Sequence, residues 1–267
     1  AAFLLVCISA IVTVGILVLL VGYILVKGIP YLKPELFAWE YNSENVSMMP
    51  AIINTFTMTG LTLLIAVPIG IGAAIYLVEY AGRGNKLVGL VRMTTETLAG
   101  IPSIVYGLFG YLIFVIALHF GRSMLSGALT LAIMILPTIM RTTEEALKAV
   151  PDTYREGSFG LGAGRLRTVF RVVLPSAVPG ILSGIILAIG RIVGETAALI
   201  YTSGTVPGVP TSLMQSGRTL SVHMYALLSE GLYTDQAYAT AVVLLVLVLL
   251  INALAGWVAK KIQADKG

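Results

Sequence analysis

The stretch RTTEEALKAVPDTYREGSFGLGAGRLRTVFRVVLPSAVPG, residues 141–180, is polar and arginine-bearing where the chain on either side is strongly apolar. TYRE (153–156) has the spacing of a capping box, with Thr153 as N-cap and Glu156 reaching back to it. Gly160, Gly162 and Gly164 would end that short helix. In RLRTVFRVVL, Leu166, Val169, Phe170, Val173 and Leu174 then recur at i, i+3, i+4, i+7, i+8, with Arg165, Arg167 and Arg171 off the stripe. This predicts an amphipathic helix on the membrane surface, its cations near headgroups, stopped by Pro175. A short capped helix followed by a surface helix that feeds an apolar run has the geometry of a lever. An ordinary ordered loop is the competing reading.

Working outward, the 267-residue chain is 57% hydrophobic and only 11% charged. Its mean hydropathy is +0.94. A soluble domain of this length would carry roughly twice that charge. The apolar segments reach about 20 residues or more, too long for the strands of an outer-membrane barrel. An all-α integral membrane protein follows. Six spans are expected, at about 3–26, 51–78, 96–118, 124–140, 177–201 and 237–259, with a connecting loop over about 141–176 and a single transmembrane domain over 1–267. Residues 3–26 exceed a signal-peptide core, and KGIPYLK is no cleavage site, so the first span is expected to stay. The chain opens at AAFLLV without a Met, which leaves room for a stretch before it. Pro68 and Pro137 are expected to kink their helices.

Lys and Arg divide unequally between the two sides. Twelve lie in the 2–3 loop (Arg83, Lys86, Arg92), the 4–5 loop (Arg141, Lys148, Arg155, Arg165, Arg167, Arg171) and the tail (Lys260, Lys261, Lys266). Four lie opposite: Lys27, Lys33, Arg122 and Arg218. The positive-inside rule places the twelve, and both termini, in the cytoplasm. In the fifth span Gly180, Gly184 and Ala188 form one small-residue row and Gly190, Gly194 and Ala198 a second, as expected where helices approach closely.

Several signals carry no chemistry. There is no G-x-x-x-x-G-K-[ST], so no nucleotide loop. Cys7 stands alone. His119 and His223 read as outer-loop residues without metal partners, and no metal site is expected. Glu79 and Glu96, at span ends, read as solvated or capping. Tyr23, Tyr80, Tyr201 and Tyr238 fit an interfacial aromatic belt. No nucleophile–base pair appears at helical spacing, so no catalytic residue is expected.

EGSFGLGAGRLRTVFRVVLP resembles the EAA loop of ABC-importer permeases, which runs EAA, three residues, G, nine residues, I-x-L-P. Glu156 falls on the E, Gly162 on the G, Val172 on the I, and Leu174 and Pro175 on the L-P. Gly157 and Ser158 replace the two alanines. TFTMTGLTLLIAVPIGIGAAIYLVEYA, ETLAGIPSIVYGLFG and GRIVGETAAL resemble the permeases of the phosphate-specific ABC importer. The short second outer loop and SGRTLSVHMYALLSEG are similar to its A-type permease. The likeness covers nearly all the chain from about residue 50 onward. It implies a type I permease fold with a cytoplasmic coupling helix, Thr153, Glu156, Gly157, Gly162, Leu174 and Pro175 being the residues at the ATPase contact. It implies a non-catalytic subunit in a bacterial or archaeal plasma membrane that forms half of a phosphate pathway. Its partners would be a C-type permease, a dimer of cytoplasmic ATPase subunits holding Mg-ATP, an extracytoplasmic phosphate-binding protein and membrane lipid. No cofactor is expected on this chain, and no nucleic-acid partner. Sulfate or molybdate is the alternative cargo. A stand-alone channel or secondary transporter is the alternative machine, but neither needs a lever for an ATPase.

GRIVGETAAL (190–199) sets Arg191 and Glu195 inside the fifth apolar run. A charge in a span costs at least about 2.5–3.5 kcal/mol on insertion scales. Arg191 lies roughly 24 Å beyond Pro175 along a helix axis, in the outer half of the span. At i, i+4 the two are expected to share a helix face. A structural ion pair is one reading. The other is a substrate relay, the guanidinium fork meeting phosphate oxygens while Glu195 orients it and weakens the trap. The resemblance implies such a role for an Arg/Glu pair of this type.

Overall fold

The structure is a computed structural model that describes residues 2–81 and 86–264. Arg83 and Lys266, two of the cations used to orient the chain, lie outside the described residues. The elements are α1 (Ala2–Gly28), α2 (Met49–Ile75), α3 (Lys86–Ala99), α4 (Ser103–Gly110), α5 (Met124–Lys148), α6 (Asp152–Gly160), α7 (Arg165–Thr168), α8 (Leu174–Gly194), α9 (Ala197–Thr202), α10 (Leu220–Glu230) and α11 (Thr234–Ala264). Wider π-helical turns lengthen α2 through Tyr76–Tyr80 and α4 through Tyr111–Ala117, and another joins α7 to α8 over Val169–Val173. No strand occurs among the described residues.

Five helical stretches are long and apolar enough to cross a membrane: Leu5–Tyr31, Met49–Tyr80, Met124–Lys148, Arg165–Gly194 and Thr234–Trp257. A sixth is broken. Val88–Ala99 and Ser103–Ala117 meet at a bend of 105°, so the continuous third span expected over 96–118 is corrected to a helix starting at Ser103. Pro102 explains the break: it disfavours helix at Ile101 and donates no hydrogen bond. The Leu98 carbonyl, which has no N–H to accept from at Pro102, accepts instead from the Ile101 backbone N–H at 3.1 Å and the Tyr106 hydroxyl at 2.7 Å.

α5 is the spine. Of its apolar window 61% is buried, against none for α1, which meets the rest of the chain mainly along α11. Leu131, Ile135 and Ile139 of α5 pack with Met58 and Ala66 of α2, Ala188 and Ile192 of α8, and Leu199 of α9. The first small-residue row sets the α5–α8 distance: a Cβ at Gly180 would come 2.6 Å from Ala146, and one at Gly184 would overlap Thr142. With no hydrophobic drive between helices in lipid, such close backbone contact is what holds them. The second row is not one face. Gly190 is near Asn252, Gly194 meets open space, and Ala198 belongs to the next helix.

At the end remote from α6, residues 29–48 fold over α10. Leu36, Met48, Ala51, Leu220 and Ala239 form a small core there.

Candidate functional site

The fifth span does not run to residue 201. α8 stops at Gly194; Glu195 is extended (φ −72, ψ 128) and α9 starts at Ala197. Arg191 and Glu195 therefore do not share a helix face, which corrects the i, i+4 expectation. No ion pair within 4 Å joins them. The Glu195 side chain is buried at 8% exposure, and its Oε1 accepts the Ala198 backbone N–H at 3.1 Å. The carboxylate thus satisfies an orphan donor in the first turn of α9, where the helix dipole favours negative charge. Ser221 Oγ on α10 donates to the Glu195 carbonyl at 2.6 Å. These two bonds satisfy polar groups freed by the break, and non-helical backbone at membrane depth requires that.

Arg191 is left on the last turn of α8, half-buried. Its guanidinium makes no hydrogen bond or ion pair among the described residues. Tyr106 of α4 lies within its electrostatic reach. One turn back, Leu187 lines a cleft of about 450 Å³ between α3, α5 and α8 that reaches Lys148 at the C-terminal end of α5. Arg92, Thr95, Glu96, Thr138 and Arg141 also line it. Cation and carboxylate are matched there: Arg92 Nε meets Glu144 Oε2 at 3.1 Å, Lys148 Nζ meets the same oxygen at 2.8 Å, and Arg141 Nε meets Glu145 Oε1 at 3.0 Å. With ~30 Å³ per water, the space holds a hydrated oxyanion.

The 141–176 loop differs from its expected form in three ways. α5 continues to Lys148, so only Ala149–Pro151 separate it from α6. Thr153 is not the N-cap: α6 starts at Asp152 after Pro151, with no side-chain cap, and Thr153 lies inside the helix, exposed. Pro151 (φ −57, ψ 139) fixes the entry by itself, and Asp152 supplies negative charge to the first turn. Pro175 does not stop the surface helix. Arg165–Gly194 is one helical run, and the π-helical turn before Leu174 makes room for the proline ring. The expected apolar stripe splits accordingly. Val169 and Val173 are buried against Leu147 and Val150, while Leu166 and Phe170 are exposed.

α6 closes as expected. Gly162 has φ +79, a region costly for other L-residues, although a Cβ there would touch nothing. Gly157 and Glu156 are exposed, and Glu156 makes no return bond to Thr153. Tyr154, Phe159 and Leu161 are exposed at 52%, 46% and 91%, an apolar tip at the end of the molecule. Hollows of about 370 and 300 Å³ flank it, the first beside Val150 and Tyr154, the second beside Gly162 and Arg171.

Sequence reasoning missed two features. Glu79 is neither solvated nor a cap. It is 8% exposed and meets Arg155 Nη2 of α6 at 2.7 Å. The signal in the sequence is a carboxylate that closes an apolar run, a position that calls for a cation partner. His223 is not a loop residue: it is fully buried in α10, edge-on to Tyr41, whose ring also carries Arg218 at 4.7 Å. Burial first, and Arg218 second, push the His223 pKa down to about 3. Arg218 is 4% exposed, and its Nε and Nη2 have no hydrogen-bond partner among the described residues.

Over residues 66–264 the chain matches the family model described as binding-protein-dependent transport system inner membrane component. A probable ABC transporter permease protein of Bacillus subtilis (strain 168), YqgI, is 34% identical, covering 94% of this chain and 92% of that protein. The phosphate transport system permease protein PstA of Pasteurella multocida (strain Pm70) is 36% identical over 87% of this chain and 84% of its own. PstA 1 of Mycobacterium tuberculosis (strain CDC 1551 / Oshkosh) reaches 42%, over 58% and 50%. Among solved structures, a bacterial ABC transporter that imports alginate superposes with TM-score 0.70 at 17% identity, covering 97% and 96% of the two chains. An inward-facing MetNI methionine transporter gives 0.64 at 21%, over 80% and 93%.

Proposed function

The chain belongs to the family of binding-protein-dependent transport system inner membrane components, the multi-pass permeases of ABC importers, and we propose that it carries phosphate. The observation that carries this reading is Arg191, a guanidinium at membrane depth with no ion pair among the described residues, one turn from a charge-balanced cleft. A fork of N–H donors on a fixed helix end suits an oxyanion losing its water. An arginine already paired with Glu195 would have to surrender a partner first. Glu195 instead holds the break that brings α8 to an end beside the cleft. In the cleft each arginine stands beside a carboxylate, which keeps the anion from being trapped on leaving. The names of the relatives at 36% and 42% identity support phosphate as the cargo.

In this reading the α6 end is cytoplasmic, as are both termini. Tyr154, Phe159 and Leu161 enter a cleft of a dimeric ATPase that binds Mg-ATP. A C-type permease completes the pathway, and a phosphate-binding protein docks at the α10 end. The chain itself catalyses nothing.

The test is inorganic phosphate uptake by the reconstituted complex, normalised to assembled complex. Arg191→Gln cuts it about 10- to 100-fold and Arg191→Lys restores part, a point charge replacing the fork. Normal uptake by Arg191→Gln would overturn the assignment. Sulfate and molybdate fit the same geometry; competition with phosphate uptake separates them.

A further inference from the structure

α6 is mounted on the membrane helices by very little. Of its residues only Arg155 and Ser158 turn toward the protein; the others are exposed. Ser158 reaches Thr168 of α7, the next segment of the chain, at 2.8 Å. Arg155 reaches two membrane helices at once. Its Nη2 donates to Glu79 Oε1 at 2.7 Å, and its Nε to the same oxygen at 3.2 Å. Nη2 also donates to the Leu147 carbonyl at 2.9 Å and Nη1 to the Val150 carbonyl at 2.8 Å, where α5 ends. Nη1 meets Asp152 Oδ1 at 3.1 Å within α6 itself.

α5 is already bound to α6 by three residues of chain. α2 is not: Glu79 and Arg155 are 76 positions apart. Glu79 is the one α2-end residue to which α6 hydrogen-bonds among the described residues. Ala74 and Ile75, just before it, pack with Leu147 and Val150, so the ends of α2 and α5 form one body beneath the guanidinium. A planar fork with five donors holds its partners in direction as well as distance, unlike an apolar contact that can slide.

We propose that Arg155, clamped by Glu79, is the positioning residue through which displacement of α6 is passed to α2 as well as α5. This rests on α6 being the ATPase contact, and the experiment separates the two ideas. A photoreactive residue at Tyr154 reports whether α6 touches the ATPase in the reconstituted complex. The same complex then gives inorganic phosphate imported per ATP hydrolysed, with loaded binding protein present. Arg155→Lys keeps the charge but cannot span Glu79 and both carbonyls. It is expected to crosslink normally, to hydrolyse ATP, and to import roughly tenfold less phosphate per ATP. Glu79→Gln is expected to do the same. The swap of Arg155→Glu with Glu79→Arg restores the α2 link without the α5 bonds and should recover part of the ratio. Normal crosslinking with a normal ratio in Arg155→Lys overturns the inference and leaves the ATPase contact standing. Absence of the crosslink in the unaltered complex overturns the contact and the inference together. Should Glu79→Gln fail to assemble, the ratio in Arg155→Lys decides.

Discussion

Two arginines of this chain sit at helix ends and behave oppositely. At the junction of α6 with α2 and α5, Arg155 has every reachable acceptor engaged: a carboxylate, two terminal carbonyls and its own helix's Asp152. At the break between α8 and α9, Arg191 has none among the described residues, and the nearby carboxylate is occupied by a backbone N–H. Both placements favour a cation, since the C-terminal ends of α5 and α8 are negative poles. The difference lies in what else arrives. A saturated guanidinium fixes elements to one another. An unsatisfied one pays a desolvation cost that only a ligand or water returns. The first arrangement belongs to mechanics and the second to binding.

The contrast can be broken most forcefully at Glu79. Glu79→Gln leaves Arg155 with only the exposed Asp152 carboxylate as counter-charge, and breaking a buried pair costs about 3–5 kcal/mol. The melting temperature of the purified complex should fall accordingly; an unchanged value would show that the clasp holds nothing. Arg191→Gln should do the reverse. Uptake of inorganic phosphate drops about 10- to 100-fold, the worth of a hydrogen bond to a charged group, while the melting temperature holds or rises. Lower stability together with normal uptake would make Arg191 a structural residue after all.

Arg218 offers a third case, a buried cation stacked on Tyr41 with neutral His223 beside it. The folded pKa of His223, about 3, lies below its ordinary value near 6.5. The unfolded chain therefore binds the proton first. Stability contributed above pH 6.5 is lost as pH falls toward 3, at about 1.4 kcal/mol per pH unit. Melting curves at pH 7 and 5 should differ less in His223→Leu than in the unaltered chain. An equal difference would place the acid sensitivity elsewhere.

Glu195 sharpens the comparison on a smaller scale. If it caps α9, Glu195→Gln keeps an acceptor for Ala198 and is near neutral in stability, whereas Glu195→Ala loses about 1 kcal/mol. An ion-pair role predicts that Gln is nearly as damaging as Ala. The charge swap of Arg191 with Glu195 should not rescue, because an arginine at 195 accepts nothing from the Ala198 N–H. Smallest of all, Gly157→Ala on the exposed face of α6 should stabilise by about 0.5–1 kcal/mol without changing uptake, since a Cβ there meets nothing. A loss of uptake would mean that the ATPase approaches that backbone closely.

Much of this molecule was legible before any coordinates. Apolar runs of membrane length, the short helix between α5 and α8, its Gly162 stop and the presence of charge at Arg191 all follow from local chemistry. Lipid leaves few solutions for a 20-residue apolar segment, and a positive-φ turn leaves few residues. What sequence could not give was who meets whom. Helical spacing made Arg191 and Glu195 partners, but Glu195 lies past the helix end, where Ser221 and Ala198 claim it. It made Glu79 a solvated terminus, but Arg155, far along the chain, closes over it. It stopped a helix at Pro175 that a π-helical turn carries through. Periodicity assumes that a helix continues, and that each polar group takes its nearest neighbour in sequence. Whether the helix breaks, and which distant group satisfies the charge left behind, is settled only when the helices are packed, because the cost of an unpaired polar group is set by burial.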